Sequence, residues 1–155
     1  MSEACQIGLL AYVENEEQLH KVEHYMHHLQ SLGKEVHLLL FVPGKEVPHY
    51  IMPRLSVDIV PRKMVNWFGI PQGKVVKSFQ QKKFDLLIDL CMEHHKENLY
   101  IAITSNASMR VGLYGDNMLK YYDFMLSGSK NKIRSFEQYT QEIEKYLNQL
   151  KTNKS

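Results

Sequence analysis

The stretch FDLLIDL at residues 84–90, followed by MRVG at residues 109–112, decides the fold class of this chain. The first stretch is an apolar run that ends in an acidic residue, which is typical of a buried strand, and the second indicates another strand closed by glycine. The residues between them suffice for a crossover helix. Together they predict a βαβ unit with Asp89 near the carboxyl edge of its strand, where open α/β sheets bind ligands.

Further strands are predicted on both sides of this unit. Short apolar runs at residues 6–13 and 36–42 are typical of buried strands, and the alternating run at 55–60 is typical of a strand nearer an edge. Residues 109–113 and 121–126 predict the last two strands.

Four helices are predicted between and after these strands. The first begins after Asn15 as N-cap and ends before Gly33, and its apolar stripe recurs at three-and-four spacing over Leu19, Val22, Met26 and Leu29. A short helix is expected at 75–79, a longer one at 96–107, and a C-terminal helix at about 135–151, where Ser135 and Gln138 form a capping-box pattern. The tail at 152–155 is polar.

This succession of strands and helices predicts a single α/β domain over residues 1–155. Strand–helix–strand connections are right-handed and parallel almost without exception. We therefore expect a Rossmann-like, three-layer, doubly wound domain with a mostly parallel sheet of five or six strands.

Composition excludes several classes of protein. The chain has 155 residues, of which 44% are hydrophobic and 23% charged, as in soluble globular domains. No apolar run is long enough to span a membrane and no signal peptide is evident, so a cytoplasmic protein is expected. Cys5 and Cys91 flank strand-like runs, which favours buried free thiols in a reducing compartment. A net charge of +2 argues against nucleic-acid binding.

The charge distribution singles out residues 61–83. This segment contains six basic residues and no acidic one: Arg62, Lys63, Lys74, Lys77, Lys82 and Lys83. A solvated basic segment is the favoured interpretation, and a surface for an anion or an acidic partner is the alternative.

The same segment holds the loop NWFGIP at 66–71. Its aromatic residues, including Trp67, would form a binding surface if exposed; burial that pins the loop is favoured.

The histidines of the first helix suggest a metal site and also argue against it. His20, His24 and His27 share one helix face, and with Glu17 or Glu23 they would supply ligands for zinc or nickel. That face points away from the apolar stripe, so a metal there would lack supporting buried hydrogen bonds. Exposed histidines are the favoured interpretation, and no cofactor is expected.

Motifs for known chemistry are absent. The chain has no G-x-G-x-x-G, no P-loop and no G-x-S-x-G pattern. The remaining candidate ligand site is Asp89 as a base or hydroxyl acceptor, with Ser105, Asn106 and Arg110 as donors. Asp89 would serve equally well as a cap of the turn after its strand, and residues 104–106 favour a helix C-terminal turn.

Several blocks resemble, in their order, a family of small uncharacterised proteins from Bacteroidetes. They are NWFGIP at 66–71, FDLLIDL at 84–90, YIAITSNASMRVG at 100–112, YYDFML at 121–126 and the helix that ends at Tyr146-Leu147. Ser105, Ala107, Val111 and Gly112 match the family's Ser-x-Ala-x-x-x-Val-Gly pattern, whereas its last strand, Asp-Leu-Met-Ile, is here Asp-Phe-Met-Leu. The resemblance implies a bacterial domain without an established activity.

A more remote resemblance concerns residues 85–90 and 110–112. They are similar to the N-terminal half of two-domain glycosyltransferases of the heptosyltransferase kind. In those enzymes this half mainly receives the acceptor, and a second half binds the nucleotide sugar. The length of this chain leaves room for one half, which the resemblance implies would lack the donor site.

These observations favour a non-catalytic binding or interaction module that uses the carboxyl edge near Asp89 and the 61–83 segment. The alternative is a small enzyme, glycosyltransferase-like or acting on a phosphorylated or sugar metabolite. An enzyme predicts a concave pocket with a perturbed carboxylate, and an interaction module predicts a flat apolar or basic patch. The expected partners are a small anionic or sugar-like ligand, another protein or a second copy of the chain, and no membrane.

Overall fold

A computed structural model describes residues 6–52, 54–115, 117–127, 133 and 135–154. Along the chain it contains β1 (Gln6–Tyr12), α1 (Glu16–Ser31), β2 (Glu35–Phe41), β3 (Val57–Val60), a 3₁₀ turn (Arg62–Met64), α2 (Lys74–Gln81), β4 (Lys83–Phe84), β5 (Leu86–Asp89), α3 (Lys96–Thr104), β6 (Asn106–Ala107), β7 (Arg110–Leu113), β8 (Phe124–Leu126) and α4 (Phe136–Lys154). Cys5 lies outside the described residues.

The central sheet is parallel throughout and has six strands in the order β3-β2-β1-β5-β7-β8. The predicted α/β, Rossmann-like fold is therefore confirmed, and β3 is an edge strand as expected. From β1 the chain builds outward through β2 and β3, then returns to place β5 on the other side of β1. The carboxyl ends of β1 and β5 thus flank the point where the strand order reverses, the usual place for a ligand in such sheets.

Each face of the sheet is covered by its own pair of helices. Alternate residues such as Leu9 and Leu38 pack with α1 and α4 in one core, whereas Leu10 and Leu39 pack with α2 and α3 in the other. Because both faces are buried, the strands are apolar on both sides, as the runs at 6–13 and 36–42 indicated.

The helix ends follow the predicted signals. The Asn15 side chain accepts a hydrogen bond from the Gln18 backbone N–H at 2.9 Å and caps α1. At the other end, Gly33 adopts a φ of +84°, and the backbone N–H of Lys34 donates to the Leu29 carbonyl. This pairing is a Schellman motif, which requires a left-handed residue and favours glycine. Ser135 accepts from the Gln138 N–H and caps α4.

The predicted strand at 84–90 is two strands, and that prediction is corrected. Lys83 and Phe84 pair with β6 in a separate two-stranded ladder. Asp85 then interrupts the strand, because its carboxylate accepts from the Gln6 backbone N–H at 2.9 Å while its own N–H donates to the Gln6 carbonyl. Only Leu86–Asp89 enters the central sheet.

Other predicted boundaries also shift. The helix at 96–107 ends at Thr104, and residues 106–107 form β6 instead. The strand at 121–126 is reduced to its last three residues, because the backbone N–H groups of Tyr121 and Tyr122 form a turn with the Met118 carbonyl. The strand at 55–60 begins at Val57, and the short helix at 75–79 extends over 74–81.

Within the described residues, no helix combines the length and apolar character needed to cross a membrane.

Gly112 on β7 leaves room for an aromatic ring, and this space generates a prediction. A methyl group at position 112 would overlap the ring of Tyr122, which packs directly on the glycine. We expect Gly112→Ala to lower the free energy of unfolding by about 1–3 kcal/mol, the usual cost of overpacking. Chemical denaturation monitored by circular dichroism measures this change.

The matched control is Gly44→Ala, since the nearest atom to a methyl group there is the Glu46 carbonyl oxygen at 3.4 Å. An equal loss of stability in both variants would contradict the close packing at position 112.

Candidate functional site

Two clefts open at the carboxyl edge of the sheet. The larger, which we call the basic cleft, has a volume of about 630 Å³ and lies over the ends of β1 and β2. The smaller, the switch-point cleft, has a volume of about 360 Å³ and lies between the segments that follow β1 and β5. Tyr12 borders both clefts, and its ring stacks on His95 with centroids 3.9 Å apart and planes 8° apart. The Tyr12–His95 pair therefore separates the two clefts.

Cationic side chains dominate the basic cleft. Its charged lining residues are Lys45, Arg62, Lys63, Lys96 and Glu97. Lys63 is paired with Glu46 at 2.8 Å, whereas Lys45, Arg62 and Lys96 have no ion pair among the residues that the structure describes. These three cations come from the loop after β2, the 3₁₀ turn and the start of α3, so tertiary folding alone brings them together.

The amino end of α3 adds to the positive character of this cleft. Lys96 and Glu97 form its first turn, and His95 precedes it without a side-chain hydrogen bond to the helix. The first N–H groups of a helix lack intrahelical partners and carry partial positive charge, so anions are favoured there.

A rigid turn presents aromatic side chains at the same cleft. The Asn66 side-chain oxygen accepts from the backbone N–H groups of Phe68 at 2.9 Å and Ile70 at 3.0 Å, and the Gly69 N–H donates to the Asn66 carbonyl. Gly69 has a φ of +85°, which favours glycine. We call residues 66–71 the aromatic loop.

The aromatic loop exposes its rings, and the interpretation that burial pins it is wrong. Trp67 is 89% exposed and Phe68 is 65% exposed, with ring centroids 4.4 Å apart. Hydrogen bonds to Asn66 hold the backbone instead, so the rings remain available to a ligand. The Asn-x-x-Gly spacing is typical of a turn, but no feature of the sequence indicates which way its side chains face.

The switch-point cleft has a different chemistry. Its charged lining residues are mostly acidic: Glu14, Glu93 and Glu137, with Lys21. Lys21 is engaged by Glu137 at 3.4 Å and by Glu17 at 3.9 Å. This cleft therefore offers no free cation to an anionic ligand among the described residues.

Asp89 lines neither cleft. It is 2% exposed, and its carboxylate accepts from the Cys91 backbone N–H at 3.0 Å and from the Tyr122 hydroxyl at 2.7 Å. Its backbone carbonyl accepts from the Tyr139 hydroxyl at 2.5 Å. Burial raises the pKa of Asp89, and the two donated hydrogen bonds oppose that rise. Of the two roles predicted for Asp89, the geometry matches the cap of the following turn.

Cys91, which follows Asp89, and Asn98, which lies beside Cys91, are also buried. Cys91 is a buried free thiol, as predicted, and burial raises its pKa well above the ordinary value. Sequence reasoning missed Asn98, which lies beside this thiol in the first turn of α3 and is fully buried. Its amide has no conventional hydrogen-bond partner among the described residues. An asparagine at this helix position gives no sequence signal of burial.

The other members of the predicted ligand set lie at the amino ends of the strands, whereas Asp89 lies at the carboxyl end of β5. Arg110 donates to the carbonyl oxygens of Ala102 at 2.6 Å and Ser105 at 3.1 Å, and its guanidinium lies 3.6 Å from Asp123. It thus fastens the carboxyl end of α3. Asn106 is exposed in β6. Asp89, Ser105, Asn106 and Arg110 therefore do not converge on one site, because α3 spans the sheet between its two edges.

The basic segment at 61–83 is divided by the fold. Arg62 and Lys63 line the basic cleft together with Trp67. Lys74 and Lys77 are exposed on α2 outside that lining, and Lys83 follows at the far end of α2. Only the first part of the segment contributes to the cleft.

The histidines of α1 are exposed, as expected. His20, His24 and His27 belong to no group of three or more potential ligands that could hold a metal ion in the described part of the chain. His28 lies 3.6 Å from Glu144 of α4 instead.

Comparison with known proteins places this chain in a family. Residues 1–150 match the DUF6913 family, which is described as a family of unknown function. The chain belongs to this family. The prediction of a family without an established activity is therefore confirmed. No curated protein matches the sequence.

The fold is also similar to that of a solved enzyme structure. The glycosyl transferase family 9 protein from Veillonella parvula DSM 2008 superposes with a TM-score of 0.59 over 93% of this chain, at 12% sequence identity. The chain corresponds to 42% of that protein, less than half of its length. At this level of identity the similarity shows a shared fold, in agreement with the predicted likeness to glycosyltransferases.

The buried Asp89 generates a prediction about pH. The unfolded chain ionises Asp89 near its ordinary pKa of 3.8, whereas burial raises the pKa in the folded state. Between these two values the folded state binds more protons, so its stability falls as pH rises. We expect the stability of the natural protein relative to Asp89→Asn to be greatest below pH 3.8 and to decrease above it.

Denaturant unfolding across a pH series measures this difference. Glu16→Gln, which removes an exposed carboxylate from α1, is the control. An advantage over Asp89→Asn that grows as pH rises would mean that the hydrogen bonds outweigh burial and lower the pKa.

The aromatic loop generates a second prediction. Asn66→Ala removes the acceptor of two backbone hydrogen bonds, each worth about 0.5–1.5 kcal/mol. We expect faster local motion of Trp67, seen as a lower fluorescence anisotropy, with an unchanged circular dichroism spectrum. Asn106→Ala removes an exposed asparagine elsewhere and is the control. Unchanged anisotropy in Asn66→Ala would show that other contacts hold the loop.

Proposed function

We propose that this protein is a non-catalytic binding module that holds a small anionic ligand in the basic cleft. The observation that carries the proposal is the convergence of Lys45, Arg62 and Lys96, none of them ion-paired among the described residues, on one cleft at the carboxyl edge. Open α/β sheets bind ligands at the carboxyl edge, usually at the switch point, which here lies between β1 and β5. The basic cleft adjoins that point and shares Tyr12 with the cleft there.

The positive charge of the basic cleft and its volume both fit a small anionic ligand. Clustered cations in a concave site raise the local concentration of anions and orient them. The amino end of α3 also favours an anion, because its first backbone N–H groups carry partial positive charge. A volume of about 630 Å³ falls within the range of about 300–1,000 Å³ that is usual for small-molecule sites.

The residues around the cleft favour binding over catalysis. Those that line it include no serine, threonine, cysteine or histidine within the described ranges. Burial and the charge of Glu97 raise the pKa of Tyr12 further above its ordinary value of 10.0, so its hydroxyl is not activated as an anionic nucleophile. The alternative, a small enzyme that uses Asp89 as base, requires that carboxylate to reach a ligand. Asp89 is instead buried against Tyr122 and outside the cleft.

A thermal-shift screen tests the proposal. The panel contains inorganic phosphate, pyrophosphate, sugar phosphates, nucleoside monophosphates and uncharged analogues of each. We expect stabilisation by at least one anionic class and none by its uncharged analogue. Titrations with rising salt should weaken the effect, since exposed charges are screened.

Substitutions in the basic cleft test whether the thermal shift arises from binding there. Arg62→Ala and Lys96→Ala should each weaken binding by about tenfold or more, because hydrogen bonds to charged groups contribute about 1.5–3 kcal/mol. Lys77→Ala is the matched control, since it removes an exposed lysine from α2 outside the cleft. The proposal would be contradicted if no compound of the panel stabilised the protein, or if Lys77→Ala weakened binding as much as Arg62→Ala and Lys96→Ala did.

A further inference from the structure

We infer that the ligand carries a flat unsaturated ring as well as its anionic group, as a nucleoside monophosphate does, and that Trp67 is the surface on which the ring stacks. This inference rests on the proposed anion site and adds the ligand class. It depends on a feature that a simple anion would leave unused, namely the exposed aromatic rings at the same cleft.

The exposure of Trp67 and Phe68 is unusual for such large apolar side chains. They are 89% and 65% exposed, although they are adjacent in a turn that the Asn66 side chain holds in place. Contiguous exposed apolar surface on a defined backbone marks a binding site more often than scattered exposed residues do. The turn thus presents its rings to the cleft and not to the core.

A second aromatic side chain borders the cleft from a different element. Tyr12, at the end of β1, lines the same cavity as Trp67, and its ring is backed by the His95 ring at 3.9 Å. Aromatic groups on two separate elements thus border one cavity, where a planar ring can stack on either of them. A sugar ring can pack on an aromatic side chain only through its C–H groups, whereas a flat unsaturated ring stacks with its whole π-face.

The aromatic and cationic groups are close enough for one small ligand to use both. The aromatic loop lies against the start of α3, since a methyl group at Gly69 would contact the Lys96 side chain at 3.5 Å. At its other end, the loop follows the 3₁₀ turn that carries Arg62, and the Val65 N–H donates to the Arg62 carbonyl at 3.0 Å. Lys96 and Arg62 therefore belong to segments that adjoin the aromatic loop, and both residues line the same cleft as Trp67 and Phe68.

Ring stacking should contribute measurably to affinity. Stacking of a nucleic-acid base on an aromatic side chain changes affinity by about 5- to 150-fold when the side chain is removed. We expect a nucleoside monophosphate to bind more tightly than ribose 5-phosphate by a factor in this range, with the same dependence on Arg62.

The sequence contains a single tryptophan, so intrinsic fluorescence reports on Trp67 alone. The experiment titrates the full chain with adenosine monophosphate, the other common nucleoside monophosphates, ribose 5-phosphate and inorganic phosphate. Excitation at the red edge of indole absorption avoids absorption by the bases. We expect saturable quenching by at least one nucleoside monophosphate and none by ribose 5-phosphate or phosphate.

Calorimetric titration of variants separates stacking from a structural effect. Trp67→Ala should lose the preference for the nucleotide over ribose 5-phosphate, whereas Trp67→Phe should restore part of it. Because Trp67 is exposed, neither change should affect folding. Lys77→Ala should retain both affinity and quenching.

The two proposals fail in different ways. If ribose 5-phosphate binds as tightly as every nucleotide and leaves the Trp67 emission unchanged, the protein does not recognise the ring. That result would overturn the inferred ligand class and would leave the proposed anion site unaffected. If nucleotides quench the emission equally in Arg62→Ala and in the natural protein, the ring binds without the cations and the combined ligand class is overturned. If no anion binds, both proposals are overturned.

Discussion

The carboxyl end of β5 is held by buried hydrogen bonds that reach Asp89 from both faces of the sheet. The Tyr122 hydroxyl donates to the carboxylate from the segment after β7, and the Tyr139 hydroxyl donates to the backbone carbonyl from α4. A buried acceptor without such partners would be costly, so these donors allow an acidic residue to lie between the two cores. The Tyr122 ring that carries this hydroxyl packs directly on Gly112, in space that a side chain at position 112 would fill. The acidic residue at this strand end therefore stabilises the frame, and the ligand surface is left to other residues of the same edge.

Most of the fold was predictable because its signals are local. Parallel strands buried on both faces are short apolar runs, and α1 is delimited by Asn15 and Gly33, whose backbone and side-chain preferences suit those positions. The errors arise where a distant partner overrides the local pattern. Asp85 pairs with Gln6, 79 residues away, and splits the strand at 84–90. The role of Asp89 likewise depends on Tyr122, 33 residues away, so the local sequence left two interpretations equally open.

The candidate site was predictable only in part, because its charges come from separated segments. The run of basic residues at 61–83 pointed to Arg62 and Lys63, which line the cleft, but α2 carries Lys74 and Lys77 away from it. No local excess of positive charge marks Lys45 or Lys96 in the sequence, because an acidic residue directly follows each of them, at positions 46 and 97. In three dimensions they contribute to one cleft. A local excess of charge along the sequence is thus a weaker guide than the topology of the sheet, which determines which loops meet at the carboxyl edge.

The Asn66 turn has a consequence for the thermodynamics and kinetics of recognition. Its hydrogen bonds fix the backbone of the aromatic loop during folding, so a ligand that stacks on Trp67 does not pay the conformational entropy of ordering that loop. Association then requires no loop closure, and its rate is governed by diffusion and by the attraction of the cations. Differences in affinity among ligands of one charge would appear mainly in how fast they dissociate.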